Sequence, residues 1–270
     1  MPNVREARML HRNMDDAPSP RVAALHRYPV KGLTAEALDV VDLTPGHGFP
    51  DDRRFAVALG TTAYDQTEPA WLPKAAFYQL ARNERLALLE SRYDSGSEVL
   101  TLSRAGKAVV HGKATDPQGR AIIGEFLAAF LDAGQGRPRL VEGPESGLPD
   151  CGEALVSIIG EASLGDLARV VGRPVERLRF RANIYLAGTR PWEEFGWVGR
   201  EIEIGSARLE VVDRIGRCAA TNVDPATAER DMNLPRALQQ AFGHADMGIY
   251  ARVVAGGRVS PGDKVSPITA

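Results

Sequence analysis

The strongest constraint on this chain is its punctuation. Short apolar and β-branched runs, VAALHRYPV, ALDVVDL and RRFAVAL, are cut by Lys31-Gly32, by Thr44-Pro45-Gly46-His47-Gly48 and by Gly60. Several such runs at regular spacing between glycine and proline turns read as a barrel or sandwich. ERLALLE and EVLTLS flank Asp94-Ser95-Gly96-Ser97, a tetrad suited to a hairpin loop. A first β module therefore runs over roughly residues 20–115.

Helices interrupt this texture only briefly. In GRAIIGEFLAAFLDAG, Ile122, Ile123, Phe126, Leu127, Phe130 and Leu131 recur at three- and four-residue spacing and make one apolar helical face. Residues 134–150, rich in glycine and proline, read as an exposed connection between modules. Ser163 precedes Leu164, Leu167 and Val171 with Asp166 three residues on, the pattern of an N-cap with acidic charge in the first turn. Strands then dominate again in RANIYLAG, REIEIG, ARLEVVDRI and GIYARVVAGGRV, with Gly205-Ser206 as a tight hairpin. Only 233–242 breaks the series, with Pro235 early in a helix. The expected organisation is a loose arm at 1–20, a β-barrel module with helix and linker at 21–150, and a second β barrel at 151–270. The fold class is mainly β with short helices (α+β).

Without strand-to-helix alternation, a doubly wound nucleotide-binding fold is disfavoured. Gly106-Lys107 to Gly112-Lys113 fails as a phosphate-binding P-loop. It has one residue too many between its glycines, and Ala114 stands where Ser or Thr should hold magnesium. A net charge of −2 over 270 residues lacks the footprint of a dedicated nucleic-acid binder. Two cysteines, Cys151 and Cys218, cannot build a disulfide framework, a four-thiolate zinc site or an iron–sulfur cluster. The five histidines show no HExxH spacing, and no GxSxG elbow occurs. No signal-peptide core or membrane span is written in the chain, so a cytoplasmic, membrane-free protein is expected.

Residues 213–221, DRIGRCAAT, place a thiol where a strand runs into a glycine-containing loop between Arg214 and Arg217. A free cysteine with a pKa near ~8.5 is only about 3% thiolate at pH 7, and neighbouring cations raise that fraction. Cys218 is thus either an activated thiol or a small core residue at a strand end. Lys31, Arg53, Arg54, Arg179 and Arg181 also stand at strand–loop junctions. Apart, they are edge-strand charges; converging on one cleft, they make an anion site.

YPVKG and DDRRF, then EASLGDL, RFRANIYLAG, PWEE, EIEIG, RCAATNVDPATAERD and GIYARVVAGGRVSPGDKV, taken together in this order, resemble the MOSC superfamily with its N-terminal β-barrel domain. The likeness runs from about Leu25 to Val265. That superfamily includes the C-terminal domain of molybdenum cofactor sulfurase and the mitochondrial amidoxime-reducing component.

The resemblance implies a molybdopterin-type molybdenum cofactor between the two modules, with Cys218 as the metal ligand and catalytic residue. It implies Lys31, Arg53, Arg181, Asn183 and Arg217 as cofactor-binding residues, a set suited to a phosphate-bearing pterin. The implied activity is reduction of small N-hydroxylated compounds, with electrons from a separate reductase or ferredoxin-type protein. The alternatives are a sulfur carrier or sulfurtransferase using a Cys218 persulfide, and a non-catalytic cofactor-binding or delivery module. Pyridoxal phosphate enters by family association only, because no desulfurase domain fits before residue 20 and the expected form is short and stand-alone. Gly32 and Gly160 depart from the pattern, standing where relatives often have Ser. Cys151, with no adjacent base or arginine, receives no role.

Overall fold

A computed structural model describes residues 19–268 except 132, 133 and 135. The expected N-terminal arm therefore lies, apart from residues 19 and 20, outside the described residues.

Among the described residues the fold is mostly β, with three α-helices. Its main sheet has eight strands. Six come from the second half of the chain: β9 (Val156–Gly160), β10 (Ile184–Ala187), β11 (Glu201–Ile204), β12 (Ala207–Gly216), β13 (Asp246–Ala255) and β15 (Val265–Pro267). The other two are the first strands of the chain, β1 (Arg21–Arg27) and β2 (Glu36–Leu38), and the order is β15-β11-β12-β13-β9-β10-β1-β2. β1 runs antiparallel to β10, with Leu25 opposite Ile184. β3 (Val41–Leu43) likewise pairs with β14 (Gly257–Val259) near the C-terminus. The two halves of the chain thus share sheets. The alternating apolar positions of β11 to β13 meet Val22, Leu25 and Phe49 in one core, as expected for strands with a single buried face.

The rest of the first half forms a second core. β4 (Phe55–Ala58) pairs with β8 (Arg139–Glu142), and β5 (Glu90–Asp94), β6 (Val99–Arg104) and β7 (Lys107–Lys113) make an antiparallel meander. Helix α1 (Pro117–Phe130) buries Ile123, Leu127 and Phe130 on this unit, as its spacing predicts. It begins earlier than expected, because the Asp116 carboxylate accepts from the amides of Gln118 and Gly119 and Pro117 takes the first turn.

Four expectations need correction. The sheets do not close into hydrogen-bonded barrels. The main sheet curls until Arg21 bridges Lys264, but among the described residues this contact does not extend into a strand pair. The connection expected at 134–150 contains β8, whose Leu140 and Val141 are buried against the β4 side. ERLALLE is largely a 3-10 turn, Glu84–Leu88, and the strand starts only at Glu90. Lastly, Ser163 does not cap its helix. Helix α2 (Glu161–Val171) starts two residues before it, with Gly160 at the cap position. Ser163 instead lies buried and donates to the Glu194 carboxylate at 2.8 Å, which also accepts from the Gly160 amide. A distant carboxylate holds both Gly160 and Ser163 at the helix start, so no local serine pattern could reveal it.

Helix α3 (Leu234–Phe242) follows the sequence reading, with Pro235 in its first turn and Asn233 accepting from the amide of Arg236.

Candidate functional site

Lys31, Arg53, Arg181, Asn183, Arg217 and Cys218 all line a single cleft of about 170 Å³. They arrive there from four segments of the chain. Lys31 follows the bridge of Val30 to Phe55. Arg53 sits in the turn before β4, Arg181 and Asn183 lie between the 3-10 turn Arg177–Phe180 and β10, and Arg217 and Cys218 follow β12.

The backbone at the two central arginines is unusual. Arg53 and Arg181 both have φ of 53°, the left-handed region that non-glycine residues seldom occupy. Such strain concentrates at functional sites, where the surroundings hold it in place. Here the Arg53 amide donates to Tyr28 O at 2.7 Å and the Arg181 amide to Leu178 O. Both guanidiniums also lie over the ring of buried Tyr28, at 5.3 Å for Arg53 and 4.3 Å for Arg181.

The cleft is rich in positive charge. Lys31, Arg53, Lys74, Arg179, Arg181 and Arg217 line it, against the carboxylates of Asp52 and Asp150. Two of the cations are matched by those acids, Arg53 by Asp52 and Lys31 by Asp150. Arg181 is not: its Nη1 donates to Leu33 O, and its buried Nη2 has no partner among the described residues. Burial, reinforced by the nearby Arg53 charge, pulls the Arg181 pKa down to about 10. Burial is also the main cause that lowers Lys31 and Arg217. An anion entering the cleft would relieve all three.

The remaining residues build the frame. Arg217 reaches Met247 O through Nε at 2.8 Å and Phe180 O through Nη1 at 2.8 Å, fixing a cation beside the thiol. Cys218 is half-buried and opens the 3-10 turn Ala219–Asn222, its carbonyl accepting from the Thr221 amide and hydroxyl. Asn183 turns its amide inward. Its Oδ1 accepts from Ser157 N and Oγ, and its Nδ2 donates to His26 O, so it stitches β9 to β1 beneath the cleft.

Arg214 and Arg54 do not join this group. Arg214 stacks over Phe195 at 4.4 Å, away from the cleft, and Arg54 pairs with Glu142 and Asp51. Arg214 lies within β12, whereas Arg217 follows its end past a register shift at Arg214–Gly216, and of the two cations flanking Cys218 only Arg217 lines the cleft.

Sequence reasoning passed over Asp150, gave Cys151 no role, and named Arg179 only as one of the junction cations; all three line the cleft, Cys151 and Asp150 from the loop before β9. Arg179, almost fully buried, donates to Asn222 O and pairs with Asp224 and Asp231, which ties down the segment that follows Cys218. Its signal was an arginine two residues before Arg181, but only the fold shows that the two side chains serve different partners.

The two departures from the family pattern have local causes. Gly32 has φ of 86°, where a side chain is strained. At Gly160, a Cβ would come within 2.8 Å of Thr189 Oγ1 and 2.9 Å of Glu194 Oε2.

Among the described residues, no group of three or more His, Cys, Asp or Glu side chains could hold a metal by itself. None of their helices is long and apolar enough to cross a membrane. The architecture thus defines a mainly β protein with a cationic cleft and a thiol at its edge. Residues 124–266 match the MOSC domain and residues 19–129 the MOSC N-terminal beta barrel domain, and the chain belongs to the MOSC family.

Its relatives include the molybdenum cofactor sulfurase of Caenorhabditis briggsae, 30% identical over 86% of this chain and 33% of that protein. Mitochondrial amidoxime reducing component 2 of Bos taurus is 31% identical over 47% of this chain and 40% of that protein. The chain therefore spans about a third of the first relative's length. The YUAD protein of Bacillus subtilis, a solved structure, aligns over 92% of this chain and 94% of its own at 14% identity, with a TM-score of 0.43.

Proposed function

We propose that this chain binds a molybdopterin-type molybdenum cofactor in the cleft, holds the metal through Cys218, and reduces small N-hydroxylated compounds. The observation that carries this reading is the buried, unpartnered Nη2 of Arg181, in a cleft that also gathers Lys31, Arg53 and Arg217 beside a free thiol. Arginine forks and a lysine suit the oxygens of a phosphate, and a thiolate suits a soft metal. The donor set therefore fits the group.

When bound, the cofactor would supply the two-electron redox chemistry. The chain's own residues would position it. Arg181 offers Nη2 to a phosphate oxygen, Lys31 and Arg53 add charge, and Arg217 holds a fixed cation next to the Cys218 sulfur. Arg179 keeps the Cys218 turn in place through Asn222 and Asp224. Electrons would come from a separate reductase or ferredoxin-type protein. The test is expression in a cofactor-competent host, followed by molybdenum and pterin analysis and turnover of benzamidoxime. Activity is expected with reduced methyl viologen, and none with NADH until a donor protein is added.

The similarity to a sulfurase over 86% of the chain favours a second reading, a sulfur carrier with a persulfide on Cys218. Metal-free protein that takes one sulfane sulfur at Cys218 from a donor persulfide, the donor leaving as its thiol, would select it. Cofactor-loaded protein inactive with viologen would select a delivery module.

A further inference from the structure

The cleft contains a carboxylate that the cofactor reading leaves without a task. Asp150 accepts from Lys31 Nζ, whose other bond goes to Leu148 O at 2.9 Å. Lys31 is almost wholly buried, while half of the Asp150 side chain is exposed. The acid approaches the lysine from the solvent side, in the direction from which a ligand must come. Asp150 needs no support from its own loop, because that loop is anchored on both sides. Trp71 Nε1 donates to Pro149 O at 2.8 Å, and Arg252 pairs with Glu153 at 2.9 Å.

The two acids of the cleft differ in this respect. Asp52 accepts from the Tyr28 amide as well as pairing with Arg53, so it is fixed in the fold. For Asp150 the Lys31 ammonium is the one hydrogen-bond partner found among the described residues. Releasing Asp150 to water breaks a single ion pair; releasing Asp52 breaks a backbone contact too.

We propose that Asp150 is a resident counter-ion for Lys31, which an incoming phosphate group displaces into solvent. This rests on the cleft taking a phosphate-bearing ligand. A buried ammonium is costly without a partner, and Asp150 supplies one until the ligand arrives. The pairing makes the ligand-competent state a minor one. With the paired form favoured about tenfold, apparent affinity falls about tenfold.

The test uses inorganic pyrophosphate as probe and titration calorimetry on the full chain, with D150N, K31M and K31M/D150N. D150N is expected to bind pyrophosphate about tenfold more tightly than wild type. In the K31M background, D150N should give little or no gain, because the competition acts through Lys31. Unchanged or weaker binding by D150N overturns the proposal, as does a gain of equal size with and without Lys31, which would be a general charge effect. Absence of pyrophosphate binding in wild type and D150N alike also overturns it. Molybdenum and pterin in the purified wild-type protein are measured separately, and their presence would leave the cofactor reading standing.

Discussion

Arg53 Nη2 donates to the carbonyl oxygen of Arg181 at 3.1 Å, locking two left-handed arginines into one cationic unit on the ring of Tyr28. Like charges in such a place are unfavourable without compensation. Asp52 compensates Arg53, so Arg181 carries the unmet demand.

Arg181→Ala should therefore weaken cofactor retention most among the cleft cations. A charge-assisted hydrogen bond is worth ~1.5–3 kcal/mol, or roughly ten- to a hundredfold in affinity. Pterin remaining after dialysis measures it. Full retention by Arg181→Ala would make this residue a framework charge.

Arg179→Met should destabilise the fold by about 1–3 kcal/mol, because the bonds to Asn222 O, Asp224 and Asp231 are lost while both carboxylates keep solvent contact and Asp231 keeps Arg173. It should also raise the reactivity of Cys218 towards a neutral maleimide, read in a Cys151→Ser background. Unchanged thiol reactivity would uncouple Arg179 from the Cys218 turn.

Gly160→Ser should cost about 1–3 kcal/mol, since the added Cβ meets Thr189 and Glu194 at under 3 Å. Urea unfolding checks it. A neutral effect would mean that the Glu194 contact to Gly160 gives way easily.

His26 provides a pH test. Burial, aided by the Arg177 charge, lowers its pKa from 6.5 to about 4. Between those values the unfolded chain binds more protons than the folded one, so stability is complete above pH 6.5 and declines as pH falls towards 4. The loss is up to about 3 kcal/mol. His26→Gln should lose less stability than wild type between pH 7.5 and 4.5; an equal loss would show that other groups govern this range.

Much of the strand content was legible because turn residues and alternation are local. Helix α1 and the 94–97 turn could be read in the same way; in the latter, Asp94 accepts from the amides of Gly96 and Ser97. What was hidden depends on distant partners. Glu194 holds the Gly160 amide and the Ser163 hydroxyl at the start of helix α2 from about thirty residues away, and β1 joins the sheet of the second half. At the site, residue types and family likeness nominated the cations and Cys218. Periodicity could not show that Arg54 and Arg214 point elsewhere, that Asn183 is spent on Ser157 and His26, or that Asp150 reaches Lys31.

The most direct test of the central claim is the molybdenum-to-protein ratio of wild type, Cys151→Ser and Cys218→Ser purified from the same cofactor-competent host. Serine is a hard, largely protonated substitute for a soft thiolate. Wild type and Cys151→Ser should carry molybdenum, and Cys218→Ser should lose it while unfolding at the same urea concentration as wild type. Equal molybdenum in wild type and Cys218→Ser would contradict the assignment of Cys218 as the metal ligand.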